Sequence, residues 1–354
     1  MSSYSDYALQ QHFVRHQRWG FRWALWTAVL WGAWYIPGTA LWYEYPYNSI
    51  SPDNQGQRLV ATAVMTWIHA LAVFVFLAVW NGSLGKLRDY GRTLVRFRKI
   101  SKWYALASLF GGPMAIFGSY MAMGFVGPVF AAVTSLFYPV VGAVIARLWY
   151  QEKISAQAAL GMAIIIMGGV VIYGPGFFGE LGDDGSYVWL GYLGGILSAI
   201  GWGAEGAVAS RAMDVTDPDV GIQCRFSFEI LFWGLLVLPA VMVLTDQPVW
   251  FLLKETLLTP VAMTWMLLAS VCHAFCYTAF YKSFSLIGVS RGEAIGNLYG
   301  VFAVIFVALV TLELPEWYFL LGLALTIIGS FVMFREPAEA VAQLRSVTET
   351  PGAG

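Results

Sequence analysis

Residues 59–80 read LVATAVMTWIHALAVFVFLAVW, with no Asp, Glu, Lys or Arg among them. A helix gains about 1.5 Å per residue, so about 20 apolar residues reach across a hydrocarbon core of about 30 Å. This stretch is long enough to do so. Residues 103–146 are equally free of acidic and basic side chains, over a length that allows two crossings. Working outward, ten runs of spanning length can be marked: 22–43, 59–80, 103–123, 126–147, 154–173, 187–210, 226–245, 261–282, 290–312 and 316–334. The third and fourth are parted only by Phe125-Val126-Gly127-Pro128, and the eighth and ninth by Leu286-Ile287-Gly288-Val289-Ser290, where Gly and Pro interrupt the run. The sequence thus predicts an all-α integral membrane protein with ten transmembrane helices.

Composition points the same way. Of 354 residues, 58% are apolar and 12% charged, against about 25% charged in soluble domains. A mean hydropathy of +0.65, with 16 Trp, 18 Tyr and 24 Phe, excludes a disordered chain. The net charge of −1 offers no field for nucleic acid. Cys224, Cys272 and Cys276 lie in or beside apolar runs and make no secreted disulfide framework. Residues 1–21 carry no short cleavable apolar segment, so they read as an N-terminal tail ahead of a retained first span.

Lys and Arg set the orientation. With the N-terminus cytoplasmic, every Lys and Arg except Arg58 and Lys254 falls on the inner side, Arg225 included. This positive-inside bias predicts a cell-membrane protein with both termini cytoplasmic and 335–354 as a C-terminal tail. Within the basic linker 86–102, Leu87, Tyr90, Leu94 and Phe97 recur at helical spacing, which predicts a helix lying on the anionic leaflet. The outer linkers 44–58 and 174–186 are rich in Pro, Gly, Asn and Asp and read as loops.

The chain also repeats itself. At an offset of 161, Tyr120 meets Tyr281, Gly127 meets Gly288, Tyr138 meets Tyr299, Gly142 meets Ala303 and Glu152 meets Glu313. Gly161 meets Gly322 and Gly168 meets Gly329 at the same offset. Earlier in each half the offset is 171: Thr27 lies on Ser198, and Trp31-Gly32-Ala33-Trp34 on Trp202-Gly203-Ala204-Glu205. Two five-span repeats follow, 22–173 and 187–334. Five is odd, so the second must enter the membrane in the opposite sense, an inverted-topology repeat.

With Phe137-Tyr138-Pro139, Tyr150-Gln151-Glu152 and Gly161…Gly168-Gly169-Val170, echoed by Leu312-Glu313, Gly322 and Gly329, the chain resembles the drug/metabolite transporter superfamily, and within it the EamA-type ten-helix permeases. The resemblance covers roughly 22–335. It implies alternating access around a central cavity lined by spans 1–4 and 6–9, with spans 5 and 10 at the periphery. Pro139 has Gly300 as its second-half partner, so a proline-dependent break in span 9 does not carry over.

An ionisable side chain inside a span costs at least about 2.5–3.5 kcal/mol and needs a reason. Glu205 stands where the first repeat has Trp34, and the related faces of spans 1 and 6 carry Trp31, Trp34 and Trp202. A carboxylate beside several rings suits an organic cation, each ring adding about 0.5–2 kcal/mol when desolvated. The competing account has Glu205 snorkelling to pair with Arg211 or Arg225. Glu293, with Asn297 and Gly300 on its face, is either a proton-coupling carboxyl or a cap at a helix N-terminus. Glu229 lies four residues beyond Arg225, as an ion pair at the inner interface would require. His69 and His273, near the centres of spans 2 and 8, are either packing residues or proton carriers. Tyr120, Tyr138, Tyr281 and Tyr299 complete the candidate substrate-binding set with Asn297. Cys272 and Cys276 share a face without a full ligand set, so no metal and no cofactor are expected.

No phosphate loop, nucleotide fingerprint or HExxH pattern occurs, and Ser and Cys lack a paired base, which disfavours an enzyme. The expected function is a secondary transporter of a small organic solute, a monomer or homodimer in the lipid bilayer. Uptake of a choline-like or other amine cation comes first, and it gains about 2.3 kcal/mol per 100 mV of inside-negative potential. Proton-coupled export of amino acids, metabolites or drug-like compounds is the alternative, and a non-transporting membrane sensor is the alternative of another class.

Overall fold

Fourteen helical segments account for the computed structural model of the chain, which describes residues 2–150, 155–180, 187–213, 215–244 and 247–334. They are α1 (Ser2–Ala40), α2 (Gln55–Ser83), α3 (Leu87–Val95), α4 (Arg98–Phe125), α5 (Pro128–Thr134), α6 (Tyr138–Tyr150) and α7 (Ala156–Glu180). The second half supplies α8 (Val188–Met213), α9 (Pro218–Leu244), α10 (Val249–Leu258), α11 (Pro260–Ile287), α12 (Val289–Gly296), α13 (Tyr299–Thr311) and α14 (Trp317–Phe334). Among the described residues there is no strand, and six helical stretches are long and apolar enough to cross a membrane: 55–83, 98–125, 128–149, 218–244, 260–287 and 291–311. Six is fewer than the ten expected. α1 and α8 are long but rich in Trp, Gly and Ser in place of aliphatic side chains. The apolar parts of α7 and α14, Ala159–Ile172 and Trp317–Met333, are short.

Helices stop where the sequence removes a Cβ. α4 ends before Gly127, which has φ +106°, and Pro128 then opens α5 without a donor to lose. Its repeat partner Gly288, at φ +85°, ends α11 in the same way. Rather more than two turns further on, both halves break again, at Ser135–Phe137 between α5 and α6 and at Asn297-Leu298 between α12 and α13. The break in the second half therefore forms without proline. Side chains hold it: Asn297 Nδ2 donates to Leu136 O at 3.1 Å and to Ser330 Oγ at 2.8 Å.

Close contacts recur in pairs under the two offsets. A Cβ on Gly32 would lie 2.6 Å from Phe302 Cβ, and one on Gly203 would lie 2.7 Å from Val141 Cβ. α1 thus docks on α11 and α13, and α8 docks on α4 and α6. The Tyr138 hydroxyl donates to Glu293 O at 2.6 Å, and the Tyr299 hydroxyl donates to Ala132 O at 2.9 Å. α7 and α14 cross antiparallel, Gly161 against Gly329 and Gly168 against Gly322, where a Cβ would come within 2.6–2.7 Å of the facing carbonyl. Glycine at these sites lets the backbones touch.

Several linker expectations change. Residues 2–21 are helical and run without a break into the first span as part of α1. α7 runs past residue 174 to Glu180, where Phe177 and Phe178 prolong the apolar run. The basic stretch 86–102 is helical but splits at Arg96-Phe97, and Leu87 and Phe97 are about half exposed. Gln151, Glu152, the rest of the outer linker at 181–186 and the tail 335–354 lie outside the described residues. At one end of the bundle, buried Asp219 joins α2, α9 and α11. It takes Lys86 at 2.6 Å, Lys282 at 2.9 Å and the Trp80 indole at 3.1 Å.

Candidate functional site

Arg225 decides the electrostatics of the centre. It was expected in an inner loop, but α9 begins at Pro218 and carries it into the protein interior, fully buried. Its Nη1 donates to Glu229, one helical turn on, so the anticipated i, i+4 pair exists inside the bundle and not at the membrane surface. Its Nε lies 2.8 Å from Glu205 Oε1, close enough to pair although off the N–H axis, and Nη2 reaches Glu205 Oε2 at 3.5 Å. Space for the three charges comes from Gly111 and Gly112, where any Cβ would strike Arg225 or the Glu229 carboxyl. Those glycines open a π-helical stretch, Gly111–Ile116, within α4. Two buried carboxyls thus share one guanidinium.

Glu205 is completely buried, so it does not snorkel. Besides Arg225 it accepts the Tyr277 hydroxyl at 2.9 Å and the Tyr281 hydroxyl at 3.2 Å. Trp202 Nε1 donates to the same Tyr277 oxygen at 2.9 Å, which ties indole and carboxylate together through a residue left out of the expected set. Trp31 packs edge-on against Trp202, 4.5 Å between centroids, and stacks on Tyr299 at 5.1 Å with Tyr138 at 5.8 Å. Trp34 lies 4.6 Å from His273 and 5.4 Å from Tyr120. His69 joins them through Tyr120 and His273. The indole N–H groups of Trp31 and Trp34 are buried without a hydrogen-bond partner. Such an orphan costs about 1–3 kcal/mol.

Of the expected residues, Trp31, Trp34, Trp202, Glu205, Tyr120, Tyr138, Tyr281, Tyr299, His69 and His273 form one buried cluster. Asn297 does not join it; its amide pins the broken segment to α14 and to the opposite break. Glu293 sits one turn before that break, buried, with Oε1 unpartnered and its carboxyl against Gly142 and Gly206. Tyr277 is absent from the expected set, and Arg225, expected as an ion-pair partner at the inner membrane surface, is instead a buried member of the site. Arg225-x-x-x-Glu229 at the edge of an apolar run, facing a Gly-Gly pair in another span, was the available signal.

Apolar helices of spanning length, broken helices that meet at the centre and a buried ion cluster among aromatic rings define a multi-pass membrane protein built around an internal polar site. The model of the EamA-like transporter family matches the chain twice, over residues 18–174 and 189–335, and the chain belongs to that family. It is therefore a membrane transporter of the drug/metabolite type. A solved structure titled "Crystal structure of protein" is 16% identical, over 90% of this chain and 98% of its own, with a TM-score of 0.41. No curated protein matches the chain.

Proposed function

We propose that the chain crosses the cell membrane ten times as two inverted five-helix halves, 22–173 and 187–334, with both termini cytoplasmic. It moves a small organic cation, choline-like or another amine, by alternating access through the aromatic cluster. The observation that carries the cargo class is the fully buried Glu205–Arg225–Glu229 group, in which two carboxyls share one guanidinium beside Trp31, Trp202 and Tyr277. A desolvated negative charge next to ring faces favours a cation over a neutral or anionic solute. The inverted repeat draws support from contacts that exchange under fixed offsets, Tyr138 to Glu293 O with Tyr299 to Ala132 O, and from the antiparallel crossing of α7 and α14.

Purified protein in liposomes should accumulate labelled choline-like cations under an imposed inside-negative potential or a pH gradient. Failure of the whole amine panel under both overturns the cargo class. The second reading, proton-coupled export of amino acids, metabolites or drug-like compounds, is favoured by Glu293. Its buried carboxyl has no cationic partner among the described residues and would carry the exchanged proton. Proton release on adding an amino acid, with no response to amines, would select it.

A further inference from the structure

α2 and α11 meet near their midpoints through two histidines that are not repeat partners. His69 Nε2 lies 2.6 Å from His273 Nδ1, and both side chains are fully buried. At that spacing one proton fits between the rings. Two would collide, and none would leave two lone pairs face to face. On the far side, His69 Nδ1 is 3.1 Å from the Tyr120 hydroxyl and 3.3 Å from Ser270 Oγ. On the near side, His273 Nε2 is buried and has no partner.

The pair therefore has two neutral arrangements. In one, Tyr120 donates to His69, His69 donates to His273, and His273 Nε2 carries a hydrogen. In the other every hydrogen points the opposite way and His273 Nε2 is a bare lone pair. A proton added to that lone pair turns the two rings into one cation with a shared central hydrogen. The His273 ring lies 4.6 Å from Trp34 and 4.6 Å from Tyr277, so that charge would form against the face offered to a cationic cargo.

The titratable and charged groups around the pair come from five helices, α4, α1, α11, α9 and α8. α4 gives Tyr120; α1 gives Tyr35, packed on Trp34; α11 gives Cys276 and Tyr277. Through Tyr277, Arg225 from α9 follows with its carboxylates Glu205 and Glu229. With the His273 ring 4.6 Å from Trp34, a proton on the histidines and a cation on Trp34 would place two positive charges side by side in a desolvated site, so one excludes the other.

We propose that His69 and His273 are the proton-binding unit of the transport cycle, together holding one proton when the site is empty and releasing it to water when a cationic cargo stacks on Trp34. One positive charge leaves as another enters, so the step is a one-for-one exchange. The inference rests on the cationic cargo proposed above.

Side-chain nitrogen NMR of the full chain labelled at its four histidines tests the pair directly. Two imidazoles should titrate together, taking up one proton between them. Saturating choline or a similar amine should move their shared midpoint down by one pH unit or more, the signature of at least tenfold competition. Independent titration of the two rings, or a midpoint unmoved by an amine that is transported, overturns the proposal. In liposomes, His69→Gln and His273→Gln should each reduce accumulation driven by a pH gradient tenfold or more; full retention in either variant also overturns it. No amine flux in the wild-type protein would overturn the cargo class and the exchange together. A shared titration in that same protein would still establish the proton-bridged pair.

Discussion

Arg225 is the residue on which the centre depends. Removing the guanidinium leaves Glu205 and Glu229 buried and mutually repelling, and breaking a buried ion pair from one side costs about 3–5 kcal/mol. Arg225→Met should therefore lower the unfolding temperature in detergent by well over 5 °C, and Glu205→Gln should not. The amide keeps the shape of Glu205 and one carbonyl acceptor for the Tyr277 hydroxyl, its NH2 can donate to the Tyr281 oxygen in place of accepting from it, and Arg225 keeps Glu229. Amine binding, read by ligand-induced stabilisation, should fall tenfold or more in Glu205→Gln; unchanged binding would detach the cargo from this carboxylate. The acid was legible in the sequence because it stands where Trp34 stands in the other half. The burial of its partner was not, because Arg225 sits near a polar turn at Asp217-Pro218-Asp219, and one-dimensional hydropathy assigns such a residue to a loop. Only the packing of α4, with Gly111 and Gly112 turned toward it, makes room for an arginine inside.

At the scale of an element, the broken segments are the informative parts. Gly127 and Gly288 were readable as break points from their position between apolar runs. The break between α12 and α13 was not, because Gly300 replaces the proline that marked its counterpart and the cause lies in Asn297 reaching across to Leu136 O. Glu293 is held in this segment by two small neighbours. A Cβ on Gly142 would lie 2.6 Å from its Oε2, and one on Gly206 would lie 2.7 Å from its Oε1. Overpacking of this kind costs about 1–3 kcal/mol. Gly142→Ala should lower the unfolding temperature measurably, and Glu293→Ala in the same chain should restore most of the loss by clearing the space. Additive effects in that double-mutant cycle would mean that the two sites do not touch.

Across the whole molecule, the Asp219 network fastens one end of the bundle. The Lys86 ammonium is partly buried, which works against its charge, but the hydrogen bonds it donates to Asp217 and Asp219 outweigh this and hold it above the ordinary lysine range. A raised value means that the contribution is complete below about pH 10.4, where the unfolded chain is also protonated, and is lost only as pH climbs beyond it. Stability should thus be insensitive to this group at neutral pH and decline at strongly alkaline pH, and Lys86→Gln should flatten that decline. Asp219→Asn, at the buried partner of two lysines, should destabilise far more than Asp217→Asn, whose side chain is 41% exposed.

The two halves recognised as sequence repeats are not separate bodies in space. α1 leaves its own repeat to dock on α11 and α13, and α8 docks on α4 and α6. α1, made long before these partners, must therefore wait, its glycine seam uncovered, until residues 260–311 have followed it into the bilayer. The insertion machinery has to shelter α1 for most of the time the chain takes to be made.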